Sequence, residues 1–290
     1  MCNIKLLIIL VIAVALPFST MSLSPTRAGI KLSGCIHRNG SKLNQSSSST
    51  VNSVVNDENP RLSGLAFMLD EGTRKSHSMA QNTAFVTGFF RGLSTKDSYR
   101  ELLTGLFFVY KEMECAFDDN NSPEFPWTVL DDSELRRYSS LERDLNYFYG
   151  DNWKNTIRPS PATKLYVSRI NEIASDDDKK FLLVAHQYTR YLGDMFGGQM
   201  MSGMAQRSLS LDSGKGVAFY QFDGIPNVNS YIKAWYTKLN TLNFSDEQKA
   251  QIVDEANLVF DLNVQLLEEL DGSPLKAMLM LAINSVKEKF

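Results

Sequence analysis

The segment 188–199 reads YTRYLGDMFGGQ, and it places glycines inside a run whose apolar residues otherwise recur every three or four positions. That spacing predicts an amphipathic helix. Its apolar stripe comprises Phe181, Val184, Ala185, Tyr188, Leu192 and Met195. The glycines in and just after the segment are Gly193, Gly197, Gly198 and Gly203. Because each costs about 1 kcal/mol relative to alanine inside a helix, their presence requires a reason.

Two of these glycines expose the backbone along one side of the predicted helix. Gly193 and Gly197 are four residues apart and therefore share a face, and Gly198 widens the strip and lets the helix bend. Asp194 and Arg190 are also four apart and lie beside it. A close crossing of two helices is one interpretation. A carboxylate and a cation beside bare backbone favour another, a flat ligand with ordered water above it.

The rest of the chain from about residue 61 has the same helical periodicity. Helices are expected to begin at Ser94–Asp97, Asp131–Ser133, Pro159–Pro161, Asp176–Asp178, Ser245–Glu247 and Pro274, the second of them ending at Gly150. The first carries Tyr110 on its apolar face. No alternating strand pattern, repeat or hairpin signal is present, so the sequence predicts an all-α, single-domain fold over residues 57–290.

Residues 1–56 read as a targeting leader. A short basic start and the apolar run 6–18 are typical of a signal peptide, ending at about residue 22, and the run is too short to span a bilayer. The Ser-rich stretch that follows contains basic but no acidic residues, as transit peptides do. We expect a cleaved bipartite leader to a complex plastid and no permanent membrane span in the mature protein. A secretory leader followed by a disordered linker is the alternative.

Charge and cysteine content narrow the function classes. The chain carries a formal net charge of −3 although its leader is basic, so the folded part is acidic and unsuited to binding nucleic acid. Cys115 is the one cysteine after the leader and cannot form an internal disulfide. A reducing organelle interior is therefore favoured.

A flat ligand suggests a tetrapyrrole, whose iron needs an axial ligand. Two histidines follow the leader, His77 and His186. Gln81 lies four residues after His77, placed to accept its Nδ1–H and orient the ring. His186 lies two turns before Asp194 and is expected to be structural.

Three segments together resemble the heme oxygenase family. They are LDEGTRKSHSMAQN (69–82), SLERDLNYFYG (140–150) and AHQYTRYLGDMFGGQ (185–199). The resemblance spans about residues 62–288 and is closest to the cyanobacterial and plastid type. It implies a helical bundle in which heme lies between a proximal helix and a kinked, Gly-rich distal helix.

The resemblance also assigns roles to individual residues. His77 matches the proximal iron ligand, and Tyr188 matches a tyrosine that contacts heme. Gly193, Gly197 and Gly198 match the kink of the distal helix. Asp194 matches the residue that holds the distal water, with Tyr110 and Arg190 in its network.

The activity implied is oxygenation of heme b, both substrate and cofactor, to biliverdin, CO and Fe²⁺. The IXα isomer is expected. The reaction would use O2 and electrons from reduced ferredoxin and would feed bilin biosynthesis. No flavin or nicotinamide fingerprint appears in the chain, so the electrons must come from a partner.

Several positions depart from the family pattern. Positions that are usually basic and bind the heme propionates are here Asp70, Ile232 and Tyr236. Lys233 is the expected substitute cation, with Lys238, Arg74 and Lys75 as others. A heme-binding or heme-sensing homologue with weak or no turnover is therefore the alternative function.

Two further classes are less well supported. A thiaminase-like enzyme on the same helical fold needs a nucleophilic cysteine, for which Cys115 is the candidate. A ferritin-like di-iron oxidase needs Glu-x-x-His pairs, whereas Arg74 and Leu183 stand three residues before the two histidines.

Overall fold

The computed structural model describes residues 59–122 and 124–270, where the regular structure is helical. The α-helices are α1 (Gly64–Gly72), α2 (Arg74–Gln81), α3 (Ala84–Phe90), α4 (Lys96–Asp119), α5 (Tyr138–Tyr149), α6 (Trp153–Thr156), α7 (Pro161–Ala174), α8 (Leu183–Gln187), α9 (Gly193–Ser208), α10 (Val228–Thr241) and α11 (Asp246–Glu268). A π-helical turn at Tyr188–Leu192 joins α8 to α9. Short 3-10 turns lie at Pro60–Leu62, Pro126–Leu130, Lys180–Leu182 and Ala218–Tyr220. No strand occurs among the described residues, and the all-α prediction is confirmed.

Helix α4 supplies the largest share of the buried residues and packs against α5 and α7. It begins where the sequence predicts. The hydroxyl of Thr95 accepts a hydrogen bond from the backbone N–H of Ser98 at 3.0 Å, and the hydroxyl of Ser98 accepts one from the backbone N–H of Thr95 at 3.1 Å. This reciprocal capping box satisfies two backbone donors that the helix itself leaves unpaired. Tyr110, in the middle of α4, is fully buried.

Helix α11 forms the second structural centre and contacts α1, α2, α7 and α8. Ser245 caps it, also through a capping box, with Gln248 as the reciprocal partner. Its buried face is apolar except at Glu255 and Asn263. Since buried polar side chains are retained where they have partners, these two positions mark interactions inside the bundle.

Two helices begin later than the sequence predicts. Asp132 accepts the backbone N–H of Glu134 at 3.0 Å, and α5 begins only at Tyr138. Asp176 likewise accepts the N–H of Asp178 at 3.1 Å, and α8 begins after a 3-10 turn. In both places the aspartate side chain closes a local turn, which competes with helix initiation.

Other predictions fall partly or wholly outside the described residues. The leader over residues 1–56 and the helix expected at Pro274 lie there. The described residues form one compact unit that begins at Asn59. None of the helices in this part of the chain combines the length and apolar character needed to cross a bilayer.

Candidate active site

Asp194 lies in the first turn of α9 and is held by side chains from other segments. Tyr110 on α4 donates its hydroxyl hydrogen to Asp194 Oδ2. Arg190 in the π turn donates from Nη2 to Asp194 Oδ1 at 2.9 Å and Oδ2 at 2.8 Å. Its Nη1 donates to Oδ1 of Asn263 on α11 at 2.6 Å. The structure therefore brings together three of the predicted residues and adds Asn263.

Burial dominates the electrostatics of this group. It raises the pKa of Asp194 above its ordinary value, although the charge of Arg190 opposes the shift. Burial and the charge of Asp194 raise the pKa of Tyr110 well above the usual range. Burial is the largest single effect on the pKa of Arg190 and would lower it, but interactions with Asp194, Tyr110 and Tyr166 together outweigh burial and raise the pKa. Tyr110 and Arg190 thus remain donors at neutral pH, and the Asp194 side chain, 15% exposed, keeps an edge accessible.

The turn Tyr188–Leu192 changes the hydrogen-bonding pattern of the helix from α to π and back without ending it. Such turns are rare and occur frequently at functional sites. Tyr188 lies with its hydroxyl 3.4 Å from Thr73 Oγ1, just before α2. The sequence predicts a bend at the glycines; α9 keeps α-helical hydrogen bonding through them, and the π turn lies just before them. Five residues are too few for their spacing to distinguish a π period from an α period.

The four glycines of α9 differ in their surroundings. A Cβ built at Gly193 or Gly197 would meet nothing within 4 Å, so these two residues border open space. A Cβ at Gly198 would lie 2.8 Å from the ring of Tyr220. Gly198 therefore serves a close contact with a neighbouring segment and is not part of the open strip, contrary to the expectation that it widens the strip. Gly203 faces the side chain of Arg207 in its own helix.

His77 is half-buried on α2, and its ring lies edge-on to Phe260, with the ring centroids 5.6 Å apart. Burial, followed by the positive charge of Arg61, lowers the pKa of His77. The imidazole is therefore neutral at neutral pH and can bind a metal ion. Gln81 approaches Nε2 at 3.5 Å, so the expected contact with Nδ1 is not formed. A four-residue spacing brings the two side chains together but does not choose the ring nitrogen.

Comparison with known proteins shows which family this chain belongs to. The family model described as "Heme oxygenase" matches residues 63–269. The chain belongs to the heme oxygenase family. It is 42% identical over 225 residues to a heme oxygenase of Guillardia theta, covering 76% of this chain and 94% of the relative. It is 40% identical over 231 residues to heme oxygenase 1 of Synechocystis sp., covering 78% and 92%.

Solved structures agree with this assignment. The crystal structure of heme oxygenase-1 from Synechocystis sp. in complex with heme is 39% identical and matches with a TM-score of 0.69. The match covers 77% of this chain and all of that one. The resemblance inferred from the sequence is confirmed, and the chain is a member of a family of heme-degrading enzymes.

The second histidine of this heme oxygenase family member has a structural position. His186 is fully buried, with Nε2 3.1 Å from Glu255 Oε1 on α11. Arg169 on α7 also pairs with Glu255 through Nε at 3.1 Å and Nη2 at 2.5 Å. This cluster joins α7, α8 and α11. Of the two described histidines, His186 is thus engaged within the bundle, and His77 is the one that stays partly exposed.

The positions that depart from the heme oxygenase pattern lie in one region. Ile232 and Tyr236 are buried on α10, and Lys233 is exposed on the same helix. Asp70, on α1, accepts a hydrogen bond from Nε of Arg61 at 3.0 Å and another from Nη2. The negative charge of Asp70 is thus paired with a cation that the sequence analysis did not identify.

Sequence reasoning missed Asn263, which contacts Arg190 in the site, and Arg61, which is the partner of Asp70. A polar residue on the buried stripe of α11 was a usable signal for Asn263. Arg61 precedes the first α-helix, and no local pattern connects it with Asp70.

Cys115 is exposed on α4, and partial burial raises the pKa of its thiol. It lacks the thiolate character that a thiaminase-like reaction requires.

Proposed function

We propose that this protein is a heme oxygenase that converts heme to biliverdin, CO and Fe²⁺ with O2 and reduced ferredoxin, the IXα isomer being the expected product. The observation that carries the proposal is the carboxylate of Asp194, held by Arg190 and Tyr110 next to the open strip at Gly193 and Gly197. The similarity to heme oxygenases of algae and cyanobacteria supports the same activity.

The described residues fit heme as the ligand. Methyl groups at Gly193 and Gly197 would project into open space, so the bare backbone can lie against a flat ring. His77 is neutral and would bind the iron through a ring nitrogen. Heme supplies both the iron that activates O2 and the ring that is oxidised. The protein supplies placement and electrostatics.

Asp194 is the group suited to hold and move protons over the ring. An ionised carboxylate accepts about four hydrogen bonds, and the described contacts to Asp194 are one from Tyr110 and a forked pair from Arg190. The remaining capacity suits an ordered water. Because Tyr110 and Arg190 fix both oxygens of Asp194, a water bound there would meet a rigid acceptor and would deliver protons to one place.

The proposal is tested by adding hemin to the purified protein, followed by ferredoxin, ferredoxin reductase and NADPH. A Soret band that decays while the biliverdin spectrum grows is the expected result. Replacing ferredoxin with a flavoprotein reductase then measures the preference for the electron donor. A Soret band that persists through reduction under O2 would rule out the oxygenase activity.

A Soret band that persists would identify a heme-binding or heme-sensing homologue. The observation in its favour is the replacement of expected basic residues by Asp70, Ile232 and Tyr236. A sensor would hold heme without degrading it, so its Soret band would be stable and reversible on removal of heme.

We further propose that residues 1–56 direct the protein to a plastid, where bilin biosynthesis would use its product. The combination of an apolar run and an acid-free Ser-rich stretch supports this location. A fluorescent protein fused behind residues 1–56 and expressed in an alga should accumulate in plastids. Secretion of the fusion would instead support a plain secretory leader.

A further inference from the structure

Helix α2, which carries His77, contributes little to the core of the protein. It spans eight residues, Arg74–Gln81, and none of them is buried. A helix this short is unstable by itself in water, and without buried apolar side chains it gains little from the hydrophobic effect. The position of His77 therefore depends on the individual contacts that α2 makes with its neighbours.

One of these contacts is a hydrogen bond between α2 and α11. The hydroxyl of Ser76, the residue before His77, donates to Oδ1 of Asn257 at 2.6 Å. The Nδ2 group of Asn257 donates to the carbonyl of Val253 in its own helix at 3.0 Å and to that of Gly72, the last residue of α1, at 3.2 Å. With its amide nitrogen committed to two carbonyls, Asn257 presents its oxygen to Ser76.

The junction between α1 and α2 lies close to α11. A Cβ built at Gly72 would clash with the side chain of Val253, so the end of α1 approaches α11 closely there. Asn257 lies one turn further along α11 and bonds both to Gly72 and to Ser76 in the first turn of α2. The start of α2 is therefore held at a fixed place on α11.

The same face of α11 also contacts the ring of His77. Phe260 is buried, lies three residues after Asn257 and meets the imidazole edge-on, with an angle of 88° between the ring planes. Residues three apart on a helix share a face. Ser76 and His77 are successive, so their side chains leave α2 about 100° apart around its axis. Contacts in these two directions together fix the rotation of α2, and the hydrogen bond to Ser76 is the directional one.

We propose that Asn257 is a positioning residue, which fixes α2 through Ser76 and thereby directs the imidazole of His77 towards the iron of heme. The inference rests on the proposed function, because it takes His77 as the iron ligand. A rotation of α2 would turn the imidazole away from a ring bound against α9. The hydrogen bond therefore preorganises the ligand before heme binds and keeps the axial bond aligned afterwards.

The test compares Ser76→Ala and Asn257→Ala with the wild type in the full-length protein. Without heme, hydrogen exchange measured by mass spectrometry should be faster at the amides of α2 by about 2- to 10-fold, the range that one net hydrogen bond contributes. In the ferrous heme complex, the iron–histidine stretching band of the resonance Raman spectrum should broaden and move to lower frequency. A residue that only stabilises the fold would lower the unfolding temperature without moving this band.

Matched controls remove the same chemical groups elsewhere. Ser78→Ala removes a hydroxyl from an exposed position of α2 and leaves the 2.7 Å bond from Asn82 to the Ser78 carbonyl in place. Asn171→Ala removes an amide from an exposed position of α7. Neither control should change the exchange of α2 or the Raman band. If Asn257→Ala folds poorly, Ser76→Ala and Ser76→Thr still decide the question, because the threonine keeps the hydroxyl and should retain the wild-type band.

The double variant tests whether the two residues act through one bond. Ser76→Ala combined with Asn257→Ala should move the band no further than Asn257→Ala alone, because both changes remove the same interaction. Additive shifts, or an unmoved band in both single variants, would overturn the inference and leave the proposed function intact. A Soret band without an iron–histidine band in the wild-type protein would also overturn the inference. Absence of any Soret band would overturn the proposed function as well.

Discussion

Removing the carboxylate of Asp194 separates its structural role from its chemical role. Asp194→Ala takes away the acceptor of Arg190, whose side chain is only 11% exposed. Loss of one partner of a buried ion pair typically costs about 3–5 kcal/mol, and the residual exposure places this case near the lower end. At about 2–4 °C per kcal/mol, the heme-free protein should unfold about 6–12 °C earlier. A surface carboxylate would change stability by less than about 0.5 kcal/mol.

Asp194→Asn tests the chemistry with less structural damage. The amide oxygen still accepts from Arg190 or Tyr110, so the expected loss of stability is about 1–2 kcal/mol. Both variants should still bind heme, because the ligand assignment rests on His77. Both should lose the direction of proton delivery, so that heme breakdown yields little biliverdin and peroxidase activity rises.

The assay measures biliverdin formed per heme consumed, guaiacol oxidation with added peroxide and thermal unfolding of the heme-free protein. Asp261→Asn, an exposed position on α11, is the matched control and should behave as wild type. A near-normal biliverdin yield from Asp194→Ala would refute the assignment of Asp194 to proton delivery. Unchanged thermal stability would refute the energetic argument independently.

Two further pairs of variants and one single variant test the remaining assignments. His77→Ala should keep its helical circular dichroism and lose heme turnover until imidazole is added. His186→Ala should instead lower the unfolding temperature. Full turnover by His77→Ala without imidazole would disprove the assignment of His77 as the iron ligand. Gly197→Ala should stabilise the heme-free protein by up to about 1 kcal/mol and weaken heme binding in titrations. Gly198→Ala should destabilise the heme-free protein, because the added methyl group would clash with Tyr220. Equal changes in stability for the two variants would contradict the open strip at Gly193 and Gly197. Burial raises the pKa of Glu255, but His186 and Arg169 outweigh it and lower the value from 4.5 to about 2. Glu255 therefore stabilises the fold above pH 4.5 and progressively less as the pH falls towards 2, and Glu255→Gln should flatten this slope in urea unfolding.

The helical class and much of the active site follow from the sequence because their signals are local. Helical periodicity, the caps at Thr95 and Ser245 and the four-residue spacing of Arg190 and Asp194 involve neighbours within one or two turns. Such relations exist in any helix, whatever it packs against. Comparison of the three quoted segments with a known family supplied the roles that spacing alone left open.

The features that were missed depend on contacts between distant segments. Gly198 and Tyr220 meet only after the chain turns back past α9, and Arg190 finds Asn263 on another helix. The ion pair of Arg61 with Asp70 spans nine residues and the end of a 3-10 turn. Local propensity carries no information about these pairings, since they are chosen by packing.

The π turn at Tyr188–Leu192 makes the direction of Asp194 depend on the number of residues before it, not only on their types. Each residue in an α-helix advances the chain by about 100° around the axis, so one inserted or deleted residue upstream would redirect every later side chain by that angle. The extra residue accommodated by the turn sets the rotational phase of α9. Natural variants of this segment are therefore expected to differ in residue type but not in length.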